Sequence, residues 1–111
     1  MVKPDGFDVY QRERQTGSVR FADIVEITLY KRKEIIGDLI CCDVATRAVT
    51  WFLHEDALGF DDLMLAFDRL PGFHREWRSV IVEPASPANR MVVYRRGFAP
   101  AVRARSPRPP G

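Results

Sequence analysis

The feature that most constrains this chain is a change of hydrophobic period near its middle. Val25, Ile27 and Leu29 alternate with Glu26, Thr28 and Tyr30, the period-two pattern of a strand with one apolar face. Past residue 59 the period lengthens. Phe60, Leu63, Met64, Phe67 and Leu70 fall at i, i+3, i+4, i+7 and i+10, one stripe of an amphipathic helix over about residues 59–70. Asp61 and Asp62 stand in its first turn, where anions favour the positive end of the helix dipole. Arg69 stands in its last turn, and Pro71-Gly72 supplies the stop.

Strand patterns lie on both sides of that helix. The first confident strand runs from Ala22 to Lys31. Gly37 to Val44 contains the apolar run Leu39-Ile40-Cys41-Cys42, as expected of a strand buried on both faces. Ala48 to His54 is rich in β-formers, and the short link Ala45-Thr46-Arg47 fits an antiparallel hairpin. After the helix, Phe73 to Trp77 reads as a short helical turn, while Ser79 to Glu83 and Met91 to Tyr94 read as strands around the loop Pro84-Ala85-Ser86-Pro87. Before the first confident strand, Phe7 to Arg12 and Ser18 to Phe21 form weaker strands joined through Thr16-Gly17. The predicted fold class is α+β: a mostly antiparallel sheet of five to seven strands packed on one amphipathic helix.

The chain ends read differently. Pro100 to Gly111 holds four of the eight prolines with arginine, alanine and serine, a composition too poor in apolar surface to offset the entropy of ordering. The first six residues are expected to be loose as well. One domain over residues 7–98 followed by a disordered Pro/Arg-rich tail, 99–111, is the expected organisation. Hydrophobic residues make up 46% of the whole, which excludes wholesale disorder. No apolar run reaches the roughly 18–20 residues of a membrane span. Met1-Val2-Lys3-Pro4-Asp5-Gly6 has no apolar leader core, so the expected setting is cytoplasmic. The formal charge is +2, but three arginines and no acid lie between Gly97 and Gly111, leaving residues 1–96 at −1. A near-neutral body argues against nucleic acid as a partner.

Candidate chemistry is sparse. Cys41 and Cys42 are adjacent, so in a strand their thiols diverge to opposite faces, and neither CxxC spacing nor a histidine cluster accompanies them. Core filling is the expected role. His54 and Glu55, with His74 beyond the helix, offer a general acid–base pair or part of a metal site if the fold brings them together. A polar strand-to-helix junction explains the same residues. No nucleophile elbow, phosphate loop, zincin helix or dinucleotide fingerprint occurs, so no cofactor is expected. Arg90, Tyr94, Arg95 and Arg96 surround the last strand and read as an edge protected by charge rather than as a stacking surface. Lys31-Arg32-Lys33 closes the first confident strand, and the apolar pair Ile35-Ile36 follows where a polar turn is expected. An apolar knob ringed by cations has the form of a contact site.

The run Ile27 to Lys33, then Asp38-Leu39-Ile40-Cys41 and His54-Glu55, resembles a group of small uncharacterised bacterial proteins. Gly59, Leu70-Pro71-Gly72, Asn89-Arg90 and Tyr94-Arg95-Arg96 match further parts of its pattern, so the likeness spans about residues 22–96. The chain departs from it at Lys33, where an acid is commoner, and at Asp56. The resemblance implies a bacterial origin and no particular activity. The order of elements is also similar to bacterial pleckstrin-homology-like domains, in which a curved antiparallel sheet packs on one helix.

The reading with most support is a non-enzymatic module that binds another protein through Lys31, Arg32, Lys33, Ile35 and Ile36. The alternatives are a small enzyme or metal-binding protein using His54, Glu55 and His74, an immunity or antitoxin-type protein, and a phosphoinositide- or anion-binding module. The last of these predicts binding that weakens steeply with salt.

Overall fold

The computed structural model describes residues 2–12, 14–33, 37–81 and 90–96, and of Lys33 the backbone. Its strands are β1 (Val2–Lys3), β2 (Gly6–Gln11), β3 (Arg14–Arg20), β4 (Ile24–Lys33), β5 (Asp38–Thr46), β6 (Thr50–His54) and β7 (Arg90–Arg95). Helix α1 spans Phe60–Phe67, α2 spans Trp77–Ile81, and a 3-10 turn covers Phe21–Asp23. The strands form two antiparallel sheets rather than one. The first has order β1-β2-β3 and the second β6-β5-β4-β7. No helix of the described residues is long and apolar enough to cross a membrane.

The period-two pattern sets the faces of the larger sheet. Leu29 lies between Cys42 and Met91, and Cys42 lies beside Leu53. Ile27 lies beside Val44, which in turn lies beside Trp51. These side chains form the core face, with Ile27, Leu29, Cys42 and Val44 fully buried. On the opposite face, Glu26 pairs with Arg95 at 3.0 Å and Tyr30 donates a hydrogen bond to Asp43 at 3.1 Å. Both cysteines are buried. Burial pushes the Cys42 thiol far above its ordinary pKa, so it stays protonated and unreactive.

Helix α1 lies where the 3.6-residue pattern puts it, and Phe60, Leu63, Met64 and Phe67 are all buried. Each such side chain contributes about 1.5–3 kcal/mol on leaving water. Phe67 meets Phe7 edge-on at 6.0 Å and Phe21 at 6.3 Å, so one helix closes the core contributed by both sheets. The helix is shorter than the predicted 59–70. Beyond Phe67 the chain tightens through Arg69 N–H to Ala66 C=O and Leu70 N–H to Phe67 C=O, the i→i+3 bonds of a closing turn. Gly72 then takes a φ of +80°, a conformation glycine adopts without penalty.

Several expectations change. The stretch from Ser79 is helical as far as Ile81, because Trp77 and Ile81, one helical turn apart, are both buried. A short apolar run fits a strand or a buried helix equally well on periodicity. The first hairpin turns at Arg12, which has a φ of 52°, and not at Thr16-Gly17, which lies inside β3. Gly17 is there for packing: a Cβ at that position would fall 2.2 Å from the Trp51 ring. Residues 2–6, expected to be loose, lie in strand and turn: Val2 and Lys3 pair with Phe7 and Gly6, and Lys3 reaches Asp8 at 3.1 Å. Ile35 and Ile36, the loop at 84–87 and the tail at 99–111 lie outside the described residues.

Candidate functional site

Of the residues that the sequence groups at the end of β4, the structure describes the side chains of Lys31 and Arg32, which take opposite faces of the strand. Lys31 has the parity of Ile27 and Leu29, so it turns to the core face. Its side chain is only 5% exposed and its ammonium lies 3.6 Å from Asp38. Arg32 takes the opposite face and lies over the Phe52 ring at 5.7 Å. The Lys33 side chain, Ile35 and Ile36 are outside the described residues.

The polar junction after β6 is occupied by structural bonds. Glu55 accepts the Ile40 N–H at 2.8 Å through Oε1 and donates its own N–H to the Ile40 carbonyl at 3.0 Å. It thereby extends the β5–β6 pairing by one residue. His54 accepts the Asp56 N–H through Nδ1 at 3.3 Å, which leaves the proton of the neutral imidazole on Nε2. His74 lies after α1, half exposed, with Nδ1 3.8 Å from Glu76. Among the described residues no three His, Cys, Asp or Glu side chains gather as a metal site. The cations of the last strand are also engaged. Arg90 stacks on Tyr30 at 4.5 Å, Arg95 pairs with Glu26, and Arg96 donates to the Ile24 and Phe21 carbonyls at 2.8 and 2.9 Å.

A large concavity among the described residues lies elsewhere. A groove of about 870 Å³ runs between β2 on one side and the end of β6 with the start of α1 on the other. One wall is Phe7, Val9, Tyr10 and Arg12; the facing wall is Leu53, Ala57, Leu58 and Leu63, with His54 among them. The volume falls within the roughly 300–1,000 Å³ of ligand sites, and the lining is likewise apolar with few polar groups. Two large apolar side chains stand exposed at its rim, Leu58 at 102% and Tyr10 at 51%. Leu58 is carried there by the turn Glu55–Gly59, which closes with a Gly59 φ of +83° and so delivers the chain into α1. The Lys3 ammonium and the Ser18 hydroxyl hold the Asp8 carboxyl beside the groove below its ordinary pKa.

Neither Tyr10 nor Leu58 belongs to a motif. The only sequence signal was an apolar residue in a turn, Leu58 between Ala57 and Gly59, just before the helical stripe. A second, smaller cleft of about 260 Å³ lies beside Trp51, between the end of β3 (Ser18, Val19, Arg20) and the β5–β6 turn. The chain matches no protein-family model, and no curated protein and no solved structure matches it.

Proposed function

We propose that this chain is a non-enzymatic protein-interaction module that takes an apolar anchor of its partner into the groove between β2 and the β6–α1 turn. The observation that carries this reading is the pairing of an open apolar groove with fully exposed Leu58 and half-exposed Tyr10 at its rim. Apolar surface contiguous with a concavity, rimmed by polar groups, is characteristic of interaction sites. The enzymatic alternative draws less support, because the Glu55 carboxylate and His54 Nδ1 are both engaged by backbone amides. The cations at the end of β4 add less than their sequence suggests, since Lys31 is turned inward. The likeness to small bacterial proteins and to pleckstrin-homology-like domains is compatible with a binding role and selects no partner.

Selection of random peptides displayed on phage against the full chain tests the reading. The expected winners carry apolar anchors and bind the Leu58→Asp variant about tenfold more weakly, equivalent to about 1.4 kcal/mol. Because Leu58 is fully exposed, that variant should keep its unfolding free energy within about 0.5 kcal/mol. Peptides that bind Leu58→Asp as well as the parent would remove the groove as the docking site.

A further inference from the structure

One wall of the groove is a strand edge rather than a sheet face; the other is the end of β6, the turn after it and the start of α1. Phe7, Asp8, Val9 and Tyr10 all line it, although consecutive side chains of a strand point in opposite directions. A groove lined by both parities runs along the edge of β2. That edge is half covered: β1 pairs only with Gly6 and Phe7, and no described residue pairs with it at Val9, Tyr10 or Gln11. The facing strand β6 is itself an edge, paired with β5 alone among the described strands.

From this geometry we infer that the partner binds by strand addition, as an extended segment that continues the line of β1 along Val9–Gln11. The inference rests on the groove being the docking site. Open strand edges accept a foreign strand through backbone hydrogen bonds, with alternate side chains giving specificity. The register set by β1 fixes the direction. Val2 lies opposite Phe7 and Lys3 opposite Gly6, so the added segment is antiparallel to β2 and its N-terminal end lies toward Arg12. Its chemistry follows the same template. Val2 packs on the core while Lys3 points out to Asp8, which calls for alternating apolar and polar residues. The Arg12 side chain at that end of the groove favours an acidic residue at the segment's N-terminus.

The probe is a capped six-residue peptide, a glutamate followed by alternating valine and threonine, titrated into the isotopically labelled full chain. Two further peptides carry N-methyl groups on one or the other alternate set of residues. In an added strand only one set faces β2, so methylation of that set should weaken binding by about tenfold or more while the other set is tolerated. Amide exchange should slow on binding at those alternate residues of Val9–Gln11 whose N–H groups face the open edge. If the parent peptide shifts groove resonances and loses them with Leu58→Asp, yet both methylated peptides bind like the parent, strand addition is wrong and the groove stands. If the parent peptide leaves Leu53, Ala57 and Leu58 unperturbed up to millimolar concentration, both ideas fall. Self-association that occupies the groove and is abolished by Leu58→Asp would replace the peptide with a second copy of this chain.

Discussion

At the residue scale, the identity of a side chain matters here chiefly through what it meets. Gly17 has no positive φ to require glycine, so a strand alanine would ordinarily be favoured by the lower entropy of the unfolded chain, by about 0.4–1 kcal/mol. The Trp51 ring reverses that sign. Gly17→Ala should destabilise by about 1–3 kcal/mol, the usual cost of overpacking, and Trp51→Leu should recover part of the loss in the double variant. Equal urea midpoints for Gly17→Ala and the parent would show that the ring moves aside freely. Tyr30 makes a different prediction. Burial, reinforced by its bond to Asp43, pushes the phenol from an ordinary 10 up to about 12. The unfolded chain therefore loses this proton first as pH rises. The stabilisation is complete below about pH 10 and disappears as pH climbs through about 12. Denaturation midpoints measured across that window should fall less steeply for Tyr30→Phe than for the parent, and parallel decline would assign the loss to other groups.

At the scale of elements, legibility tracks length and regularity. The alternation in β4 and the stripe in α1 run for ten and eight residues, enough for a period to declare itself. The buried run Leu39-Ile40-Cys41-Cys42 is equally plain, and its reading as a strand shielded on both faces holds. Shorter elements were ambiguous for physical reasons. Five residues of α2 carry two buried side chains one turn apart, too few to separate a helix from a strand. The two residues of β1 have no pattern at all and are ordered by pairing with β2. Thr16-Gly17 has the composition of a turn, yet the glycine is needed where β3 crosses Trp51. The same chemistry serves turns and close approaches. For the site, residue type pointed to the end of β4, where strand parity sends Lys31 to the core face. Tyr10 and Leu58 looked ordinary because their significance lies in a groove whose two walls are about fifty residues apart in the chain.

Across the whole molecule, long-range contacts hold the sheets to their connections. Arg96 donates to the carbonyls of Ile24 and Phe21 through Nε and Nη2, and its own N–H bonds to the Val25 carbonyl. It ties the end of β7 to the 3-10 turn that separates the two sheets, across more than seventy residues of sequence. Arg96→Ala would leave two carbonyls without their charged donor and should cost about 1.5–3 kcal/mol. Arg96→Lys should recover only part of this, because an ammonium lacks the fork that reaches both oxygens. Amide exchange at Val25 and Ile27 should accelerate in step, and unchanged exchange there would show that the turn holds without the arginine. Hydrophobic pattern in the sequence by itself determined the class of the fold, the apolar face of β4, the burial of β5 and the helix α1, because these depend on neighbours within a few residues. Only the tertiary structure decided that the strands divide into two sheets, and that β2 faces the end of β6 and the start of α1 across an apolar groove. Those outcomes depend on which distant strands meet, and a local hydrophobic period specifies a face without specifying its partner.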